Sequence, residues 1–143
     1  MKIVIDANIT VSLFVPLPYS GAAENMIRLW RKQGAELYAP GLWQVEIVSV
    51  VRKMVSLGQM NADGARFAIA NLDSLQVEIV HPDRDLLEQS YLWAERIGQR
   101  VAYDAQYLAL AESIQADFWS ADQRVISALQ ARQIPWAHSL LTD

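Results

Sequence analysis

The chain has 143 residues and a formal net charge of −4, and 52% of its residues are hydrophobic and 20% charged. This length and composition are typical of one globular domain, here residues 1–143, that buries a substantial core. The absence of cysteine excludes disulfides, thiolate nucleophiles and cysteine-ligated zinc. The acidic balance argues against a broad basic surface for nucleic acid.

The sequence also bears on location. No apolar stretch approaches the roughly 18–20 residues that a membrane-spanning helix needs. The N-terminal sequence MKIVID leads straight into a strand-like run and lacks the apolar segment and cleavage site of a signal peptide. We therefore expect a cytoplasmic protein with no membrane contact, in which any polyanion is held by local basic clusters or by metal ions.

Short β-rich runs alternate with longer helical runs. Strands are predicted over residues 2–5, 36–39, 76–80, 118–121 and 134–137. Helices are predicted over residues 20–33, 42–57, 61–75, 83–97, 103–115 and 122–132, although the valine content of the second leaves a strand open. Ser20, Asn61 and Asp83 are candidate N-caps. This alternation predicts an α/β fold whose central, mostly parallel sheet is covered by helices on both faces.

One carboxylate lies inside an apolar run. The segment GLWQVEIVSVV surrounds Glu46 with Leu, Trp, Val and Ile and places no base near it in the sequence. An ionised carboxylate taken out of water without a partner costs several kcal/mol. Glu46 caps nothing in the middle of a helix, so it turns outward, stays protonated with a raised pKa, or faces a functional site.

Three aspartates lie where a parallel sheet would bind a ligand. Asp6 ends the strand KIVI and Asp122 follows FWSA, so both lie at carboxyl ends of strands, where open parallel sheets bind ligands. Asp104 lies in the first turn of its helix, on the same stripe as Tyr107. Each aspartate also has a simpler explanation, since Asp6 and Asp122 suit helix N-caps and Asp104 complements a helix dipole.

The acids are more informative as a set, which comprises Asp6, Glu46, Asp104 and Asp122. If these carboxylates converged, their like charges would raise one another's pKa values unless a cation neutralised them. Mg²⁺ or Mn²⁺ would do so, because these hard ions prefer carboxylate oxygen. A pair of such ions promotes phosphoryl displacement, and charge arithmetic leaves one ion or two equally open.

The sequence around these acids resembles the PIN-domain ribonucleases, especially the VapC-like toxins of bacterial toxin–antitoxin pairs. IVIDAN is similar to the first motif, a hydrophobic strand that ends in Asp with a small polar residue two positions later. AP-GLWQVEIVSVV is similar to the Glu-bearing helix of the second motif, YDAQYLALAE to the Asp-opened helix of the third, and WSAD to the fourth. The residues matched are Asp6 with Asn8, Glu46, Asp104, and Ser120 with Asp122.

The resemblance spans nearly the whole chain and implies a three-layer α/β/α fold and a metal-dependent endoribonuclease. It implies Mg²⁺ or Mn²⁺ as cofactor, held by the four acids, with Asn8 and Ser120 orienting ligands and water. It also implies an RNA substrate, a small antitoxin that inserts into or beside the site, and a homodimer. The apolar helices around 45–55 and 67–75 would supply partner contacts, unless they are ordinary core.

The sequence departs from the family pattern at two places. Ser49 stands three residues after Glu46, where many relatives have Asn, and this affects the expectation little. Pro16, Leu17 and Pro18 lengthen the first loop, which would alter substrate access or partner docking.

Other functional classes fit less well. A haloacid dehalogenase phosphatase needs a second Asp where Asn8 stands, and a response-regulator receiver needs paired acids after the first strand. His81 and His138 belong to no spaced Ser/His/Asp set. Tryptophans could stack bases, but three are predicted in the core, namely Trp30, Trp43 and Trp119. A non-catalytic PIN-fold module that binds RNA or a protein partner stays open as the alternative.

Overall fold

The computed structural model describes residues 1–141. Its strands are β1 (Lys2–Ile5), β2 (Glu36–Pro40), β3 (Val77–Val80), β4 (Asp117–Ser120) and β5 (Ala137–Ser139). They form one sheet in the order β3-β2-β1-β4-β5, and every neighbouring pair is parallel. The chain moves outward from β1 in one direction through β2 and β3 and then returns to the other side for β4. The strand order therefore reverses between β1 and β4, which is where an open parallel sheet binds its ligand.

Helices cover both faces of this sheet. They are α1 (Ala7–Phe14), α2 (Ser20–Lys32), α3 (Leu42–Ser56), α4 (Ala62–Ala70), α5 (Arg84–Arg96), α6 (Tyr103–Ile114) and α7 (Gln123–Gln130), and a short 3-10 helix covers Leu72–Leu75. On one face, Ile27 and Trp30 of α2 pack in the cluster that contains Ile3 and Ile5. On the other face, helices α3, α5, α6 and α7 share a larger cluster with Val4. The predicted three-layer α/β/α fold is confirmed.

The prediction missed helix α1. Its sequence ANITVSLF holds the β-branched residues Ile9, Thr10 and Val11, which have low helix propensity, so the pattern gave no helical signal. Packing outweighs that propensity: Ile9 is buried, and the Trp43 indole donates to the Thr10 hydroxyl at 3.1 Å. Asp6 starts the helix, with a long contact of 3.5 Å from the Asn8 backbone N–H.

Most other elements agree with the prediction to within one or two residues at each end, and two differ by more. The helix predicted over 61–75 ends at Ala70, where the Asn71 side chain donates to the Phe67 carbonyl at 2.8 Å, and the 3-10 helix follows. The last strand lies at Ala137–Ser139 rather than 134–137. Gln133 has a positive φ of 56° and Pro135 has no N–H, so the chain turns there before it can pair.

Two of the three predicted N-caps are confirmed. Asn61 and Asp83 are N-caps, accepting from the Gly64 and Leu86 N–H groups at 2.7 and 2.8 Å. Ser20 is not a cap; it is the first residue of α2, and its hydroxyl donates instead to the Ser12 carbonyl at 2.6 Å. Across residues 1–141, no helix is both long and apolar enough to cross a membrane.

Candidate active site

The four predicted acids line one open cleft of about 320 Å³, which we call the acid cleft. Asp6 directly follows β1 and Asp122 lies two residues after the end of β4, and the sheet order reverses between these two strands. Glu46 reaches the cleft from the second turn of α3, and Asp104 from the first turn of α6. Side chains that are far apart in the sequence are therefore brought together at the carboxyl edge of the sheet.

Asp6 is the most enclosed of these acids, with 9% of its surface exposed. The Ser120 hydroxyl and the Asn8 amide both donate to its Oδ2, at 2.6 and 3.0 Å. Burial raises the pKa of Asp6 to about 6, the Ser120 hydrogen bond opposes that rise, and the charge of Asp104 adds to it. Asp6 is therefore a carboxylate that the fold holds in place but stabilises poorly in its charged form.

Asn8 and Ser120 connect Asp6 to the chain around Asp122. Besides its bond to Asp6, the Asn8 amide donates to the Ser120 Oγ at 3.0 Å and accepts from the Ala121 N–H at 3.1 Å. The Ser120 Oγ also accepts from the Asp122 N–H at 2.9 Å. This network ties the start of α1 to the start of α7, and Ser120 itself is fully buried.

Glu46 faces Tyr107. The Tyr107 hydroxyl donates to Glu46 Oε1 at 3.0 Å, from a ring that is only 1% exposed. Burial raises the pKa of Glu46 to about 7, and the charges of Asp6 and Asp104 add to the rise. Sequence reasoning placed Tyr107 on the Asp104 stripe but missed this role; its position three residues after Asp104 was the available signal.

Asp104 and Asp122 have different partners. The Gln99 amide donates to Asp104 Oδ2 at 2.7 Å, a contact that the sequence did not indicate. Asp122 caps α7, accepting from the Arg124 N–H at 2.9 Å, and the exposed Arg124 guanidinium lies 3.4 Å from it. The N-cap explanation for Asp122 is thus correct, and the same side chain also lines the cleft.

The acid cleft fits a hard divalent cation in its donor chemistry. It offers carboxylate oxygens from separate elements, and the raised pKa values of Asp6 and Glu46 record the burial and repulsion that a cation would offset. Within residues 1–141, no three His, Cys, Asp or Glu side chains lie close enough together to form a metal-ligand group. Metal binding would therefore require the carboxylates to draw together around the ion.

The Ser120 hydroxyl should contribute measurably to stability. We expect Ser120→Ala to lower the free energy of unfolding by about 2 kcal/mol, because the Asp122 N–H loses its acceptor and Asp6 loses its shortest hydrogen bond. Urea unfolding measures this. The matched control is Ser113→Ala, which removes a hydroxyl bonded to the Leu110 carbonyl on the exposed side of α6 and should cost about 0.5 kcal/mol or less. Equal losses in the two variants would contradict the role assigned to Ser120.

A parallel sheet covered on both faces, with acidic side chains gathered where its strand order reverses, defines the class of α/β/α domain that the sequence motifs indicated. The family model described as PIN domain matches residues 4–137. The chain belongs to the PIN-domain family, and the resemblance inferred from the motifs is confirmed.

The chain is also similar to individual proteins. Ribonuclease VapC3 of Pyrobaculum aerophilum is 29% identical over 136 residues, covering 94% of this chain and 100% of that protein. The crystal structure of VapBC2 from Rickettsia felis, bound to a DNA fragment from their promoter, matches with a TM-score of 0.69, 14% identity and coverage of 97% of this chain and 98% of that chain. A toxin–antitoxin complex from Klebsiella pneumoniae matches with a TM-score of 0.67, 16% identity and coverage of 98% of both chains. These two structural matches show that the fold is shared.

Proposed function

We propose that this PIN domain is an endoribonuclease that hydrolyses RNA phosphodiester bonds with Mg²⁺ or Mn²⁺ bound in the acid cleft. The observation that carries the proposal is the meeting of Asp6, Glu46, Asp104 and Asp122 in one cleft where the strand order reverses. The relative that matches over 94% of this chain is named a ribonuclease, which supports RNA as the substrate class.

The four acids would hold the metal, which when bound supplies an activated water and stabilises charge on the leaving oxygen. The chain's own contribution is orientation. Ser120 and Asn8 fix Asp6 Oδ2 by two hydrogen bonds, and Tyr107 fixes Glu46 Oε1. Gln99 fixes Asp104 Oδ2 in the same way. Three of the four carboxylates are therefore positioned by a protein side chain, as metal ligands commonly are, and for Asp6 and Glu46 that side chain comes from a distant part of the sequence.

The test is cleavage of RNA by the purified chain. We expect cleavage with added Mn²⁺ or Mg²⁺ and none with EDTA, and we expect a covalently closed circular RNA to be opened, because an endonuclease needs no free end. Cleavage that persists in EDTA would overturn the metal assignment. If no class of RNA is cut, the alternative holds, in which the domain binds RNA or a protein partner without catalysis.

We further propose that the chain is the toxin of a type II toxin–antitoxin pair, acts as a homodimer and is neutralised by a small antitoxin. The structural match to a toxin–antitoxin complex supports this proposal. The apolar residues of α3 and α4 include a small core of Val51, Ala65 and Ala68 and an exposed set that contains Val45, Val48, Phe67 and Ile69. An open, mainly apolar groove of about 480 Å³ lies between the two helices. Co-purification with the product of the adjacent reading frame, followed by size-exclusion chromatography, tests the partner and the dimer.

A further inference from the structure

The acid cleft has a second wall of different chemistry. This wall comprises the aromatic and aliphatic residues of the cleft lining, which are Ala7, Val11, Leu17, Tyr19 and Val50. Tyr19 is the single aromatic side chain among the described residues that line the cleft. The carboxylates suit a metal-held phosphate, and the aromatic and aliphatic wall suits a flat base. The cleft therefore matches both halves of a nucleotide, its charged backbone and its base.

Tyr19 is held close to the acids by its own core contacts. It is half-buried and packs against the core cluster that contains Ile5 and Ile9. Partial burial and then the charge of Asp6 raise the pKa of the Tyr19 phenol, which agrees with its place beside that carboxylate. A ring already fixed by packing loses little conformational entropy when a ligand covers its remaining surface.

The loop that carries Tyr19 is braced. The Ser20 hydroxyl donates to the Ser12 carbonyl at 2.6 Å and accepts from the Leu17 N–H at 2.9 Å, which ties the loop to α1. Pro16 and Pro18 fix their own φ angles within the same segment. The extra residues of the first loop thus form a rigid support for the wall of the cleft.

We infer that Tyr19, together with Leu17 and Val50 of the same cleft lining, forms a nucleobase subsite in which the Tyr19 ring stacks on a base adjoining the scissile phosphate. The inference rests on the proposed nuclease function and names the part of the RNA that this wall recognises. Stacking on an aromatic ring tolerates any base, because every base has a π-face. Tyr19 is therefore a substrate-binding residue whose effect is on KM rather than on the metal-dependent step.

The kinetic test pairs a protein change with a substrate change. We expect Tyr19→Leu, which keeps an apolar side chain in the loop, to lower kcat/KM by roughly 10-fold to 100-fold, mainly through KM. Tyr19→Phe keeps the ring and should stay within about twofold of wild type. In an RNA with one mapped cleavage site, an abasic nucleotide is placed at each flanking position in turn. At the stacked position, it should lower wild-type cleavage by the same factor as Tyr19→Leu and leave the Tyr19→Leu variant unchanged.

A binding measurement separates this inference from catalysis. Single-stranded RNA with 2-aminopurine at the stacked position, or at each position in turn if no cut is found, is mixed with Mn²⁺ and the Asp104→Asn protein, in which cleavage is expected to be strongly slowed. Fluorescence should be quenched by this protein and by its Tyr19→Phe version but not by its Tyr19→Leu version. The control is Tyr91→Leu, which removes a tyrosine that is 67% exposed on α5 and does not line the cleft. Thermal unfolding verifies that each variant is folded.

The outcomes are distinguishable. If the wild-type protein cuts no RNA, while the Asp104→Asn protein quenches the fluorescence and its Tyr19→Leu version does not, the proposed nuclease is overturned and the subsite is supported. A different result would overturn the subsite and leave the nuclease standing. In that result the wild-type protein cuts RNA, and Tyr19→Leu and the abasic nucleotide lower cleavage independently. The Tyr19→Phe and Tyr19→Leu versions of the Asp104→Asn protein would then quench the fluorescence equally.

Discussion

Asp104→Asn is expected to lower the rate of RNA cleavage by about 100-fold or more, a loss comparable to that of other groups that stabilise charge in a transition state. Asp104 is the most informative acid to replace, because it caps no helix and its protein partner is the Gln99 amide, from which an Asn oxygen can still accept a hydrogen bond. The substitution removes one negative charge from the cleft and leaves the fold nearly unchanged. Initial rates of cleavage at saturating Mn²⁺ measure the effect.

Asp6→Asn should cause a loss of similar size, since Asp6 lines the same cleft. The matched control is Asp63→Asn, which makes the same chemical change at a side chain that is 93% exposed on α4 and should leave the rate within about twofold of wild type. Cleavage at the wild-type rate by either Asp104→Asn or Asp6→Asn would reject the assignment of these acids to metal binding.

In the metal-free protein at pH 7.5, Asp6→Asn is expected to raise the melting temperature by roughly 5 °C. The pKa of Asp6 rises from 3.8 to about 6 on folding, which corresponds to about 3 kcal/mol of lost stability once both states are ionised. An Asn oxygen at the Oδ2 position keeps the bonds from Ser120 and Asn8, so the substitution loses only the weak cap contact, about 1 kcal/mol or less. The same residue is thus expected to be essential for activity and costly for stability.

The pH dependence follows from the sign of these shifts. Asp6 and Glu46 both have raised pKa values in the folded state, about 6 and about 7. At a pH between the ordinary pKa of each carboxyl group and its raised pKa, the folded state therefore binds more protons than the unfolded state. Stability of the metal-free protein should therefore fall as the pH rises from about 4 to about 7, and this fall should be smaller in Asp6→Asn. Melting temperatures in EDTA across that range measure it.

Asp122→Asn is the control for the stability experiment. Asp122 caps α7, and Asn caps helices about as well as Asp, so the melting temperature should change little. A lower melting temperature for Asp6→Asn at pH 7.5 would show that the burial and repulsion assigned to Asp6 do not dominate its contribution to stability.

Much of the fold could be predicted because each main element has a strong local pattern. The strand KIVI is a short β-branched run, and the helix of Asp83 has both a capping side chain and a following glycine. The first helix could not be predicted, because Ile9, Thr10 and Val11 favour a strand locally and become helical through burial. The position of the last strand depended on the turn at Gln133, which only the packed chain defines.

The acids of the candidate site could be predicted because Asp6 and Asp122 follow strands, Glu46 stands alone in an apolar run, and the family motifs include Asp104. Their partners could not. Tyr107 meets Glu46 across 61 positions of sequence, and Ser120 meets Asp6 across 114. Contacts of that separation depend on strand order, which the sequence pattern left open. The Gln99 contact was missed for another reason, since a polar residue in a loop gives no periodic signal.

The helices that follow β1, β2 and β4 all begin at the edge of the sheet that carries the acid cleft. Aligned peptide groups place a partial positive charge of roughly half an elementary unit at each such beginning. The backbone therefore places partial positive charge near the carboxylates, and a count of side-chain charges does not include it. A polyanion approaching this edge would meet a weaker barrier than the formal charge of −4 suggests.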